Sequence, residues 1–354
     1  MHAIDQVERP TASERPTVVA AEATMQAIVQ SRYGAATGVL QLRDIPKPVA
    51  RDREVVVRVR AASIHVGDAI VMTGQPYFLR LAFGLRRPKN AVPGTDLAGT
   101  VEAVGPGVTA LRVGQEVFGW CTGAFAEYAC APVDHFVPKP ANLSFEQAAA
   151  IGVSATTALQ LLRDQGKLKP GEKVLINGAS GGVGPFAVQI AKAFGAEVTG
   201  VCSAGNVDMV RSIGADHVVD YTKDDFTRGQ TRYDFILDNV ASHSMAATRR
   251  ALTPTGRLQP NGGGHSSGRW IGSIGSVIKA ALMSKFVRGQ LAPSVKFQNR
   301  ADLLALTELI QAGKVTPVID GIYPLRRTAE AMSHVAGGHA RGTVVITLSS
   351  ALAE

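Results

Sequence analysis

The sequence predicts an α/β protein in two parts, an irregular β-barrel followed by a parallel sheet covered by helices. Three observations lead there. Up to about residue 131 the chain is a series of short β-branched runs separated by glycine and proline turns, without long helical periodicity. Near Ser144 it changes to alternating strands and helices, the pattern of a parallel sheet with right-handed crossovers. At the first strand-to-helix junction of that second part stands a glycine-rich run, residues 177–184.

The β part opens at Met25 with a strand over residues 26–29 and a second over 54–59. Strands over 97–104, 116–120 and 124–131 follow, with Gly105-Pro106-Gly107 and Arg112-Val113-Gly114 as turns. Ser144, followed three residues later by Gln147, has capping-box spacing and opens an alanine-rich helix. Lys169-Pro170-Gly171 then turns the chain into the strand 173–176, an apolar run of the kind buried on both faces. A helix over 183–194 closes at Gly195 and leads to the strand 197–201. A helix over 207–213, strands at 217–219 and 235–237, a helix near 245–252 and a strand near Arg257 continue the alternation. Pro260, in the polar run Gln259-Pro260-Asn261, is unusual for a sheet interior. A helix over 301–312 and a strand over 342–348 end the chain, and no repeat of 20–50 residues occurs.

Composition narrows the function classes. With 354 residues, 45% hydrophobic and 19% charged, the chain is long enough for two domains and apolar enough to fill their cores. Lys and Arg number 37 against 29 Asp and Glu, a net charge of +8. These cations are scattered, with doublets such as Arg86-Arg87 and Arg326-Arg327, so a solvated basic surface accounts for them and nucleic-acid binding is not expected. Three cysteines (Cys121, Cys130 and Cys202) with no CxxC spacing speak against a disulfide scaffold or a four-cysteine zinc lobe, and fit a cytoplasmic location. The first 24 residues mix prolines with Asp5, Glu8, Glu14 and Glu22, lack the apolar core of a signal peptide, and read as a loose tail. The apolar stretch 270–287 is interrupted by Lys279 and Lys285, so no membrane insertion is expected.

The run Asn177, Gly178, Ala179, Ser180, Gly181, Gly182, Val183, Gly184 carries the functional signal. A turn between a buried strand and a helix is what a dinucleotide pyrophosphate requires. Gly181 lets the backbone approach the phosphates, Gly184 lets the helix pack closely on the sheet, and the helix N-terminus presents free N–H groups. Ala179 stands where a strict fingerprint has Gly. About 20 residues further on, an NAD enzyme ends its second strand with Asp or Glu. Here residues 201–206 read Val-Cys-Ser-Ala-Gly-Asn, with no carboxylate and with Ser203 and Asn206 as donors to a 2′-phosphate. NADPH is therefore the expected cofactor.

These motifs resemble the medium-chain dehydrogenase/reductase superfamily, and within it the zinc-free quinone oxidoreductase-like branch. The resemblance runs from Met25 to about Leu348 and is carried by residues 61–68, 93–99, 113–119 and 177–184, with 156–159 and Gly214-Ala215-Asp216. It implies a GroES-like (chaperonin-10-like) β-barrel catalytic domain over 25–147, a Rossmann NADPH-binding domain over 148–294 inserted into it, and a return to the catalytic domain over 295–354. It also implies a homodimer.

Zinc-dependent relatives place a Cys within the segment matching 61–68, a Gly-His-Glu at the segment matching Gly94-Thr95-Asp96, and a third ligand near Val153. This chain has His65, Thr95 and Val153 there, with Asp68 and Asp96 nearby, so no metal is expected. In zinc-free relatives the position of His65 lies close to the nicotinamide; the imidazole either stabilises charge on a substrate carbonyl or fixes its own loop. Thr157 matches a position contacting the nicotinamide end, and Tyr221 resembles tyrosines near the adenosine phosphate. An ordinary helix threonine and an exposed loop tyrosine are the alternatives. Close relatives often carry Lys or Arg between the positions of Ser203 and Asn206, where this chain has Ala204-Gly205; Lys223 or Arg211 are the candidate substitutes. The glycine loop 262–264 and the apolar stretch 270–286 are candidates to approach the nicotinamide and to line a substrate cleft, or to serve as connection and core.

The expected activity is hydride transfer from NADPH to a quinone, enone or related carbonyl compound of small, apolar character. The rival readings are a zinc-dependent NAD(P) alcohol dehydrogenase and a non-catalytic NADPH sensor or RNA-binding protein. No Ser/His/Asp set or nucleophilic Cys motif supports covalent catalysis.

Overall fold

The computed structural model describes residues 23–261, 298–338 and 340–348. Most of the N-terminal tail, the glycine loop 262–264 and the apolar stretch 270–287 lie outside the described residues.

Strands β1 (Thr24–Gln30) and β2 (Leu40–Pro46) form an antiparallel pair. The barrel sheet is built from β3 (Glu54–Ile64), β4 (Asp96–Val104), β5 (Glu116–Trp120), β6 (Tyr128–Pro132) and β7 (Phe136–Pro138). A parallel sheet follows, made of β8 (Lys173–Asn177), β9 (Glu197–Cys202), β10 (His217–Asp220), β11 (Tyr233–Asp238) and β12 (Leu252–Pro260). Finally β13 (Ile319–Pro324) and β14 (Thr343–Thr347) rejoin the barrel, β14 pairing antiparallel with β3. The barrel order is β13-β14-β3-β4-β5-β7 with β6 also on β3, and the parallel order is β10-β9-β8-β11-β12. The fold is thus a Rossmann-type α/β sheet set into a GroES-like barrel.

Two barrel elements differ from their sequence readings. Strand β3 runs on past residue 59 to Ile64, because its far half is covered by β14, a partner from the chain's other end. The strand expected over 124–131 begins only at Tyr128. Before it, the fully buried Phe125 turns into the core beneath Gly94, where a Cβ would strike the ring and the φ of +94° also favours glycine. The backbone there is shared between a loop and β1, Phe125 N–H donating to Pro93 O at 3.1 Å while Phe125 O accepts from Ile28 N–H at 2.8 Å.

Local signals explain the rest. Ser144 Oγ accepts from Gln147 N–H at 3.2 Å, and Gln147 Oε1 accepts from Ser144 N–H at 3.0 Å, closing the capping box of the helix Phe145–Ala149. A second helix, Gly152–Leu159, passes into a π-helical turn over Gln160–Gln165. There Gln160 and Arg163 each donate to Asp302, at the start of the helix Arg300–Gln311, at 2.6 Å. Strands β8 and β11 are almost wholly buried apolar runs, as both faces of a parallel sheet demand. Pro254 and Pro260 are tolerated because β12 is the outermost strand of its sheet among the described residues.

The helix Gly184–Ala193 starts hard against the backbone of the glycine turn. A Cβ on Gly184 would fall inside the van der Waals radii of Gly178 O and the Ala179 backbone, neither of which can rotate away. Gly184→Ala should therefore cost roughly 1–3 kcal/mol of stability, read from the urea-unfolding midpoint; an unchanged midpoint would mean that the helix shifts freely.

Candidate active site

The chain order of the parallel sheet reverses between β8 and β11, so a crevice opens beyond their C-terminal ends. The glycine turn leaves β8 at this point. Gly178 has a φ of +77°. Ala179, where Gly would be usual, is fully buried, and its methyl is accommodated by Gly200 on β9, whose own Cβ would lie 3.1 Å from it. A Cβ on Gly181 would find nothing nearer than Gly178 O at 3.7 Å, so it projects into open space above the turn. Val183 is the N-cap of the helix that follows. A Cβ on Gly182 would lie 3.5 Å from Ser154 Oγ, so the helix bearing Thr157 packs directly beside the turn.

The expected adenosine-side residues come together. Asn206 Nδ2 donates to Ser180 Oγ and to Ser203 Oγ, both at 3.1 Å. Tyr221, 61% exposed, follows β10, and its N–H donates to Cys202 O at the end of β9 at 3.0 Å. Lys223 pairs with Asp220 at 3.7 Å.

His65 leaves β3 and caps the helix Val66–Thr73. Its N–H donates to Asp68 Oδ2 at 2.9 Å, and its imidazole lies over Gly67, where a Cβ would come within 2.8 Å of the ring. Nε2 stands 3.5 Å from Asp68 Oδ2, is buried, and makes no hydrogen bond among the described residues. Asp68 also accepts from Thr95 Oγ1 at 3.4 Å. Burial raises the pKa of the Asp68 carboxyl, against the lowering effect of His65. Asp96 is buried at the start of β4, and burial pushes its carboxyl up to about 6. It accepts from Val153 N–H at 2.7 Å and from Gln298 Nε2 at 2.9 Å. Gly152 leaves the space that this carboxyl fills. No group of three or more His, Cys, Asp or Glu able to hold a metal ion occurs among the described residues.

Sequence reasoning missed a polar latch at the crevice. Asn177 Nδ2 donates to Asp238 Oδ1 at 2.8 Å, Asn239 Nδ2 donates to Asn177 O at 3.1 Å, and Asn261 Nδ2 donates to Asn239 Oδ1 at 2.8 Å. The available signal was a polar residue ending each of the apolar runs of β8 and β11. Gln298 and Ser154 carried no signal at all. The thiols of Cys130 and Cys202 are pushed up to about 11 by burial, and burial raises that of Cys121 too, so none is a ready nucleophile at neutral pH.

A Rossmann-type sheet with its glycine turn beside a GroES-like barrel defines an oxidoreductase that works with a nicotinamide dinucleotide. The alcohol dehydrogenase GroES-like domain family matches residues 51–141, and the zinc-binding dehydrogenase family matches residues 213–346. The chain is 30% identical over 337 residues to the chloroplast envelope quinone oxidoreductase homolog of Arabidopsis thaliana, covering 91% of this chain and 98% of that protein. It is 31% identical over 329 residues to the quinone oxidoreductase of Homo sapiens, covering 88% and 94%. The quinone oxidoreductase structure from Coxiella burnetii superimposes with a TM-score of 0.78 at 28% identity, over 92% of this chain and all of that one. The chain belongs to the medium-chain dehydrogenase/reductase superfamily, in its quinone oxidoreductase-like branch. No helix among the described residues is long and apolar enough to cross a membrane.

The buried Asp96 carboxyl has a pH signature. Its folded pKa of about 6 lies above its ordinary 3.8, so its stabilising contribution is complete below the lower value and is lost as pH rises through the upper one. Burial gives Asp68 the same sign, whereas Glu172, Asp216 and Asp302 are lowered and act oppositely. Relative to Asp96→Asn, the wild-type protein should lose up to about 3 kcal/mol of stability between about pH 4 and pH 7. Parallel unfolding profiles for the two proteins would contradict this burial.

Proposed function

We propose that this protein is an NADPH-dependent, zinc-free reductase acting on a quinone, enone or related small apolar carbonyl compound. The observation that carries the cofactor assignment is the end of β9, where no carboxylate stands and Ser180, Ser203 and Asn206 form one hydrogen-bonded group. The substrate class rests on the quinone oxidoreductase relatives. When bound, the cofactor supplies a hydride from C4 of its nicotinamide.

In this reading the backbone of Gly178, Ala179, Ser180, Gly181, Gly182, Val183 and Gly184 holds the pyrophosphate. The open face above Gly181 suits close approach of an anion to the turn. Tyr221 flanks the adenosine side, and Thr157, on the helix packed beside the turn, contacts the nicotinamide end. His65 faces the reacting carbonyl, and its unbonded Nε2 donates to the oxygen as negative charge develops there. Asp68, which accepts from the His65 N–H and stands 3.5 Å from Nε2, holds this residue in place.

A metal has no role in this proposal. Thr95 and Val153 stand where ligands would be needed, and Asp68 and Asp96 already accept hydrogen bonds from four donors. Free cysteines suit a reducing cytoplasm, and a homodimer is proposed from family membership.

The test is kcat/KM for NADPH and for NADH with one quinone accepted from a panel of quinones, enones, aldehydes and ketones. NADPH should lead by roughly 10- to 100-fold, or about 1.4–2.8 kcal/mol, and Ser203→Asp should reverse the order, mainly through KM for NADPH. Equal values, or a lead for NADH, would overturn the assignment. Near-stoichiometric zinc in protein purified without chelator would overturn the metal-free reading. His65→Ala should lower kcat by roughly 10- to 1,000-fold while cofactor affinity holds; an unaltered kcat would leave His65 a loop-fixing residue.

A further inference from the structure

The segment after the helix Val66–Thr73 presents apolar side chains to solvent. A 3₁₀ turn over Tyr77–Leu79 runs into the short helix Arg80–Phe83. Tyr77 and Arg80, three residues apart, share the side that meets Tyr33. The Arg80 guanidinium lies 4.4 Å from the ring centre of Tyr33 and 4.6 Å from that of Tyr77, and its Nε donates to Gly74 O at 3.0 Å. Phe78 and Leu81, each one position further on, share the neighbouring side and are exposed, Leu81 to 75%. Phe83 and Leu85 are exposed as well, Leu85 to 67%.

Backbone contacts fix this exposure. Gly84 has a φ of +122°, and a Cβ there would collide with Arg87 O, so the chain reverses at a position that only glycine fits. Lys89 N–H donates to Phe83 O at 2.8 Å, closing a loop with Leu85, Arg86 and Arg87 at its tip, and Tyr33 Oη donates to Gly84 O. The charge around the apolar groups has one sign. Residues 69–95 include Arg80, Arg86, Arg87 and Lys89 but no Asp or Glu. Arg86, Arg87 and Lys89 are exposed, and their side chains form no ion pair or hydrogen bond among the described residues.

We propose that residues 78–89 dock the protein on an anionic membrane surface, with Phe78, Leu81, Phe83 and Leu85 at the acyl boundary and Arg86, Arg87 and Lys89 on the lipid phosphates. An apolar cluster held in solvent beside uncompensated cations is complementary to a bilayer interface, where phosphates overlie hydrocarbon. Each cation near such a surface adds attraction, and the apolar groups add burial that charge alone does not supply. A soluble polyanion would engage the cations but leave the four apolar side chains in water. The stretch is too short to span a bilayer and would lie on it. The helix Val66–Thr73, about 12 Å long, joins the patch to His65, so the docked face lies one short helix from that residue. The proposal depends on neither the cofactor nor the substrate reading.

The experiment is co-sedimentation of the full chain with vesicles of phosphatidylcholine and phosphatidylglycerol, and with vesicles of phosphatidylcholine alone. The wild-type protein should partition to the mixed vesicles more strongly. Two double variants, Leu81→Ser with Leu85→Ser and Arg86→Ala with Arg87→Ala, should each weaken that partition about 10-fold or more. A charge-matched control elsewhere on the surface, Lys314→Ala with Arg326→Ala, should stay within about two-fold of wild type. Melting temperatures should be unchanged, since all six side chains are exposed. A wild-type protein that ignores the mixed vesicles overturns the proposal, and so does an equal loss in the control, which would assign binding to the net charge of +8. If the leucine variant melts several degrees lower, the chain covers the patch itself; if it dissociates an oligomer in ultracentrifugation, a second copy does. Either result overturns membrane docking.

Discussion

Strand β6 pairs with β3 over Glu54–Arg58, and beyond that point the same edge is free for β14, which takes it over Ala61–Ile64. That exchange of partners on one long strand governs the geometry of the whole site. It carries the end of the chain back across the barrel, so that the segment entering β14 meets the turn leaving β8 through the bond from Gly342 N–H to Ser180 O. It also fixes where β3 ends, and therefore where His65 begins the next helix. Backbone hydrogen bonds between strands are cheap to form and costly to leave unmade in a buried edge, so this pairing tolerates little slippage.

A second joint lies at Asp96. A buried carboxylate without partners would be strongly destabilising, and here it is satisfied by donors from two distant segments, Val153 and Gln298. The space it needs exists only because residue 152 is glycine. The result ties β4 of the barrel both to the helix carrying Thr157 and to the start of the return segment. Asp68, His65 and Thr95 form an adjoining polar group beside the apolar barrel core.

Much of this was legible in the sequence, for local reasons. The capping box at Ser144 and Gln147, the buried run of β8 and the glycine turn at 178–184 are set by backbone conformation and by periodicity, which operate over a few residues. The absence of an acid after Val201 is likewise a one-position fact with a direct electrostatic meaning. The same local rules failed at 124–127. An alternating run there reads as strand, yet Phe125 is drawn into the core beneath Gly94.

Only the tertiary structure decided the far half of β3, the latch of Asn177, Asp238 and Asn239, the seat of Asp96 and the cation beside Gly205. The sequence alone determined that a glycine-rich turn joins β8 to the next helix and that the loop after β9 lacks a charge of its own. It carried no indication that Arg341 would stand there, since a side chain's neighbours across the molecule follow from strand pairing and packing, not from spacing along the chain.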